Sequence, residues 1–294
     1  MYLYILSKTL SLINKHERDD NLKFEESTHK YTILSEVKNT FTSVTTWNHS
    51  HFSHFNADEI IEKMMKGKNW NPQNKYWGKT PEQIKEMWAE NAKSVSEAGT
   101  DLHFDIECFM NMQSNEKEVT ARYTHKDLLD KYNNEIEKGK LPPNTSDEWG
   151  FFLQFVNAFP NLKPYRTEWC IYNEDVRLAG SIDMVYENPD GTLSIYDWKR
   201  AKEITKASKF NSYAITECIN HLPDTNFWHY SFQLNTYKAI LESKYNKKVK
   251  GLYLVRLHPN NPKKTFEIIK CVDLTDELYM LFELRKKEIS DKLK

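Results

Sequence analysis

Asp183, Asp197 and Lys199 carry the chemical interest of this 294-residue sequence. They fall in YRTEWCIYNEDVRLAGSIDMVYENPDGTLSIYDWKRAK, residues 165–202, which reads as three short strands joined by two turns. Side chains alternate faces along a strand, so Asp197 and Lys199 point the same way. Neighbouring strands lie about 4.8 Å apart, so Asp183 and Asp197 converge where register allows. Glu168 sits in the first of the three strands. Carboxylates are disfavoured in strands and costly when half buried without a partner. A hard divalent cation takes oxygen ligands and would satisfy them, with the lysine facing a phosphate bound on that ion. The arrangement is that of a phosphodiester-cleaving site.

Helices must bring further residues to this point. Thr80-Pro81-Glu82 opens a helix, with Thr80 as N-cap and Pro81 at the first helical position, that runs to about Met110. Gly99 inside it costs about 1 kcal/mol relative to alanine and invites a reason. His103 and Glu107 follow four residues apart, on one face. A second helix, from about Trp228 to Tyr245, places Gln233 and Tyr237 on one face. Asn188-Pro189-Asp190-Gly191 is a turn between the second and third strands.

The remaining elements supply the frame. Residues 1–22 read as a short amphipathic helix or arm, and 23–46 as a small hairpin. Helical spacing then sets Phe55, Ile60 or Ile61, and Met64 or Met65 inward. A helix spans about His125 to Lys138, and Ser146 or Asp147 caps another whose Phe152, Phe155 and Phe159 form a core stripe. Strands at 249–257 and 266–272 precede a C-terminal helix capped by Thr275, with Leu278, Leu281 and Phe282 inward. A helical first half followed by a sheet with helices on its faces makes the fold α/β (or α+β) with one core.

Composition bounds the function. Hydrophobic content of 39%, charged content of 28% and a net charge of −1 describe a globular chain without a uniformly basic coat. A local basic groove is still compatible with that balance, and Arg200, Lys202, Lys206 and Lys209 form a basic stretch after the third strand. Cys108, Cys170, Cys218 and Cys271 are widely spaced with no C-x-x-C, which gives no zinc or iron–sulfur signature and fits a reducing, intracellular compartment. The apolar opening is interrupted by Lys8 and KHERDD, too short to span a membrane. His49, His51 and His54 cluster in a polar loop without a neighbouring carboxylate, which makes a poor metal site.

A lone D/E-x-K triplet means little in a chain with 34 lysines; Glu36-Val37-Lys38 and Glu242-Ser243-Lys244 match it as well. The ordered set is more specific: Gly99-Thr100-x-x-His103, Gly180-x-x-Asp183, Asp197-x-Lys199 and Gln233-x-x-x-Tyr237. Over residues 98–258 it resembles the PD-(D/E)XK nuclease superfamily, within it the RecB-like exonuclease branch that includes mitochondrial genome maintenance exonucleases and viral relatives. The resemblance implies a restriction-endonuclease-like core, a central mixed sheet flanked by helices, over 98–294, with 1–97 a mostly helical accessory region. It implies one or two Mg²⁺ or Mn²⁺ ions on His103, Asp183, Asp197, the Trp198 backbone carbonyl and Glu168, and no iron–sulfur cluster. Lys199 would activate the attacking water and offset charge on the scissile phosphate, while Gln233 and Tyr237 steady the lysine or touch DNA. The expected activity is that of a deoxyribonuclease, an exonuclease on single-stranded DNA or DNA ends in repair, replication or recombination, working as a monomer. Ile182 stands where the pattern has proline.

Other readings of the same residues are open at this level. Asp183, Asp197 and Lys199 would also serve as a salt-bridge ladder on a solvated sheet face, and Glu107 as ordinary helix-surface charge. Trp47, Trp70, Trp77 and Trp88 are either core or stacking surfaces for single-stranded bases. A structure-specific endonuclease or junction resolvase, the latter working as a symmetric dimer, and a nucleic-acid-binding protein of the same fold without catalysis are the rival functions.

Overall fold

The computed structural model describes residues 8–112, 122–141, 144–208 and 211–292. A short helix α1 (Thr9–Ile13) leads to a hairpin of β1 (Leu22–Glu25) and β2 (Lys30–Ile33). A two-residue strand β3 (Thr42–Ser43) runs into α2 (Val44–His49), followed by α3 (Ala57–Lys66) and the long α4 (Pro81–Met110). Helices α5 (His125–Glu137) and α6 (Asp147–Ala158) precede β4 (Lys163–Asn173), β5 (Leu178–Glu187) and β6 (Leu193–Lys199). The chain closes with α7 (Asn226–Lys244), β7 (Val249–Arg256), β8 (Glu267–Lys270) and α8 (Thr275–Asp291).

Local chemistry explains the boundaries. Thr80 and Gln83 exchange side-chain and backbone hydrogen bonds at the start of α4, and Pro81 sits where no donor is needed. Ser146, rather than Asp147, caps α6 by accepting the Trp149 N–H. Thr275 is the first residue of α8 and not its cap: Asp273 accepts its N–H, and Asn235 of α7 accepts that of Leu274. Phe55 is 71% exposed, against the expectation, because Asn56 caps α3 and leaves Phe55 outside the helical period. Ile61 is the residue that α3 buries.

A six-stranded mixed sheet has β5 at its centre. One edge of β5 pairs antiparallel with β4 along its length. The other edge is shared: β3 runs parallel at Leu178–Ala179, and β6 antiparallel from Met184 to Glu187. Between those two partners, residues 180–183 have no strand neighbour on that edge among the described residues. Strand β7 then pairs parallel with β6, and β8 antiparallel with β7.

Both faces of the sheet are covered. On one, Trp47 of α2, Phe232 and Ile240 of α7, and Leu281 of α8 bury Ile182, Ile195 and Leu254. On the other, Phe109 of α4, Tyr132 of α5, and Phe152 and Phe155 of α6 bury Met184, Trp198 and Val255. Each fully buried side chain of this size stabilises the fold by roughly 1.5–3 kcal/mol, which fixes the helices on the sheet. The result is the expected mixed sheet flanked by helices. Among the described residues no helix is long and apolar enough to cross a membrane, and all four cysteines are free.

Candidate active site

The site lies in the fork where β5 and β6 part. Their ladder ends at the pair Met184–Tyr196, one step before Asp183 and Asp197 would face each other. In place of a further ladder bond, the Trp198 N–H donates to Asp183 Oδ2 at 3.0 Å. Strand β6 runs on past the fork paired with β7, through Asp197–Leu254 and Lys199–Arg256. Asp197 and Lys199 share a face, with Nζ 2.7 Å from Asp197 Oδ2. Lys199 Nζ also stands 4.6 Å from the centre of the Tyr230 ring, on α7.

Glu168 enters from β4. Thr167 pairs with Met184 and Trp169 with Ile182, so Glu168 stands opposite Asp183. Its backbone is left-handed, φ +42°, a conformation that costs a non-glycine residue about 1–3 kcal/mol. The Ser181 hydroxyl donates to its Oε2 at 3.0 Å. From α4, His103 Nε2 lies 2.9 Å from the Trp198 carbonyl oxygen. A carbonyl only accepts, so Nε2 carries the proton in this arrangement. His103 Nδ1 is 3.5 Å from Asp183 Oδ2. One ligand atom from each of His103, Glu168 and Asp183 falls within 4.8 Å of the others.

Helix α7 closes one side. Tyr237 packs on Gly180, where an added Cβ would sit 2.8 Å from the ring. Gln233 Nε2 donates to the Tyr237 hydroxyl at 3.0 Å and to Thr45 Oγ1 at 3.2 Å, which ties α7 to α2.

The electrostatics are those of crowded, dehydrated acids. Burial and the charge of Asp183 push the Glu168 carboxyl up to about 8. Burial raises Asp197 too, with Lys199 pulling it back down. For Lys199 burial opposes the charge, but Asp197 and Asp183 hold its proton above the ordinary lysine value. Burial also raises Glu107, one turn beyond His103.

The family model of the PD-(D/E)XK nuclease superfamily matches residues 75–291. The chain belongs to that superfamily. No individual curated protein matches it. Membership makes the protein a phosphodiester hydrolase acting on nucleic acid with divalent metal ions.

The residues of this candidate site fit such an ion. Asp197 Oδ2 is buried without a well-directed hydrogen bond, although Lys199 lies beside it. Glu168 and Asp183 are brought together at a like-charge cost that a cation would offset. The donors are carboxylate oxygens and one imidazole, hard enough for Mg²⁺ or Mn²⁺. His103, Glu168 and Asp183 form the close set; Asp197 is turned to Lys199, and the Trp198 carbonyl to His103.

The close set opens on a cleft of about 1330 Å³ between α4 and the β1–β2 hairpin. The basic stretch is not part of its described lining. Arg200 is engaged with Glu148 at 2.6 Å, Lys206 lies over the Phe227 ring, Lys202 is exposed, and Lys209 falls outside the described residues. Trp47 is buried in the core, and Trp70, Trp77 and Trp88 gather around α3 and α4. Of the early histidines, His51 bonds Thr216 and His49 lies against His229.

Three contacts were missed by sequence reasoning. Ser181 is two residues from Asp183 in one strand, and alternation put both on one face. Tyr230 precedes Gln233 and Tyr237 by three and seven residues, a readable helical stripe. Thr45 is 188 residues from Gln233 and left no local signal.

Proposed function

We propose that this PD-(D/E)XK nuclease is a deoxyribonuclease of the RecB-like exonuclease branch, acting on single-stranded DNA or DNA ends. The observation that carries the reading is the fork itself, which sets His103, Glu168 and Asp183 together beside the Asp197–Lys199 pair. The ordered motifs from Gly99 to Tyr237 favour that branch. A catalytically inactive binding module would have no cause to keep acids at this electrostatic cost.

In this reading His103, Glu168, Asp183, Asp197 and the Trp198 carbonyl would hold one or two Mg²⁺ or Mn²⁺ ions, with Asp197 and the carbonyl joining the close set of the other three. A divalent ion there supplies an acidified water and neutralises charge on the phosphate oxygens. Asp197 fixes the Lys199 ammonium, and Tyr230 limits its swing. The ammonium faces the scissile phosphate and stabilises the negative charge that grows on it. The Ser181 hydroxyl and the Trp198 N–H hold Glu168 and Asp183 in place. Gln233 and Tyr237 keep α7 tight against the floor of the fork, and the basic stretch after β6, of which Arg200, Lys202 and Lys206 are among the described residues, would meet DNA leaving it.

The test is digestion of 5′- and 3′-labelled single- and double-stranded DNA, of circular DNA and of RNA, with Mg²⁺, Mn²⁺ or EDTA, beside Asp197→Ala. Metal-dependent mononucleotide release, absent in the variant, is expected. Internal cuts in circular DNA would replace the exonuclease by an endonuclease, and no cleavage of any substrate would overturn the reading.

A further inference from the structure

We infer that the cleft holds a single nucleic-acid strand by its bases, through aromatic side chains on both walls: Phe24, His29 and Tyr31 on the hairpin, and Phe104 on α4. This rests on the nuclease reading and specifies the substrate of the same site. All four residues line the cleft into which His103, Glu168 and Asp183 open.

The hairpin explains one wall. Leu22 pairs with Ile33 and Phe24 with Tyr31, so both pairs share a face. Ile33 anchors the inner pair in a small core with Phe41, Tyr172 and Ala179. Tyr31 of the outer pair packs against that core as well, and Phe24 beside it continues the face into the cleft. Phe24 stacks on Tyr31 at 4.6 Å and 27°, and His29 stacks on Phe24 at 5.8 Å and 15°. Phe24 keeps 37% of its surface exposed, and Phe104, the residue after His103, keeps 44%. Gly99 on the same helix borders the cleft, and an added Cβ there would meet nothing within 4 Å. Its packing does not require glycine; the bare backbone leaves room for a strand.

The charge of the walls decides how a strand is held. Among the described lining residues, carboxylates outnumber the three cations, Lys8, Lys15 and Arg166, by more than two to one. Arg166 is committed to Asp19, and Lys15 to Asp20. Such a lining does not track phosphates along its length. Stacking on base faces needs no cation for each nucleotide, and every base has such a face. Paired bases hide theirs inside a duplex, so the cleft selects unpaired strands.

Binding is measured by fluorescence anisotropy with Ca²⁺ in place of Mg²⁺. The probes are a single-stranded oligodeoxynucleotide, the same strand carrying a run of abasic sites, an oligoribonucleotide and a blunt duplex. Phe24→Ala and Phe104→Ala are each expected to weaken the single strands roughly tenfold, DNA and RNA alike. The abasic strand should bind the intact protein as weakly as the variants do, and Phe24→Tyr should restore affinity. Single-strand affinity unchanged in both alanine variants, or an abasic strand bound as tightly as the normal one, overturns the inference. Cleavage with Mg²⁺ is scored separately. An active nuclease with ring-independent binding removes this inference alone; ring-dependent binding without any cleavage removes the nuclease reading and leaves this one standing.

Discussion

Tyr237 lies against the bare backbone of Gly180, so that a Cβ at the glycine would stand 2.8 Å from its Cε1 and 3.3 Å from the Val44 Cβ. Tyr237 and Val44 are both buried and have little room to retreat. Gly180→Ala is therefore expected to cost about 1–3 kcal/mol through overpacking. It should also lower cleavage more than Tyr237→Phe, which removes only the hydroxyl that Gln233 contacts, worth about 1 kcal/mol. Thermal melts and initial rates of both variants decide it. A wild-type melting temperature for Gly180→Ala contradicts the close packing.

Lys199→Met keeps the aliphatic stem under Tyr230 and deletes the ammonium. Asp197 then loses the charge that pulls its carboxyl down, and burial alone raises it further, so that it takes up a proton instead of standing as an unpaired buried anion. The fold should survive, while turnover falls at least about 100-fold, the scale for losing one transition-state charge stabiliser. Asp197→Ala should lose turnover as well and, in addition, the rise in melting temperature on adding Mg²⁺. Native cleavage rates in Lys199→Met would remove the lysine from the mechanism.

The three strands from 163 to 199 were legible because alternation, the Asn188–Gly191 turn and the β-branched content all agree there. The α4 start was legible from Thr80 and Pro81 alone. What alternation could not show is the fork. It arises because β3, contributed by residues 42–43, and β6 share one edge of β5, and only long-range pairing decides where each stops. The left-handed turn at Glu168 was equally hidden, since nothing in TEWC favours it. The cleft walls followed the same pattern. The basic run after β6 stood out by composition, yet the described lining draws its cations from Lys8, Lys15 and Arg166, brought in from α1's side and from β4.

His125 sets a stability limit on the acid side. It is fully buried, with Nε2 2.8 Å from the Tyr186 hydroxyl, and burial depresses its pKa to about 4. An unfolded histidine titrates near 6.5. Below that pH the unfolded chain binds a proton that the fold refuses, so stability falls as pH drops from about 6.5 towards 4, by up to about 3 kcal/mol. His51, also depressed to about 4 by burial, acts in the same window. Asp19 works lower: burial would raise its carboxyl, but hydrogen bonds from Arg166, His16 and Trp169 hold it below the usual range, and its contribution is lost only under about pH 3.8. Urea midpoints at pH 7, 5.5 and 4.5 should show a shallower decline in His125→Phe than in the native protein. Parallel declines would place the proton uptake elsewhere.

Divalent metal should stabilise the fold through Asp183. An ion bound only by the folded state adds about 2.7 kcal/mol at a hundredfold excess over its dissociation constant, or roughly 4–5 °C for a chain of this size. Asp183 also accepts the Trp198 N–H, so Asp183→Ala has a cost of its own that is present with or without metal. The informative quantity is the difference between melts in Mg²⁺ and in EDTA. It should be positive in the native protein and vanish in Asp183→Ala. Ser181→Ala, which frees Glu168 Oε2 without removing a carboxylate, should keep a reduced shift. If Asp183→Ala retained the full shift, the ion would be bound elsewhere, and the cluster with His103 and Glu168 would have to be explained as a strained acidic pair without a cation.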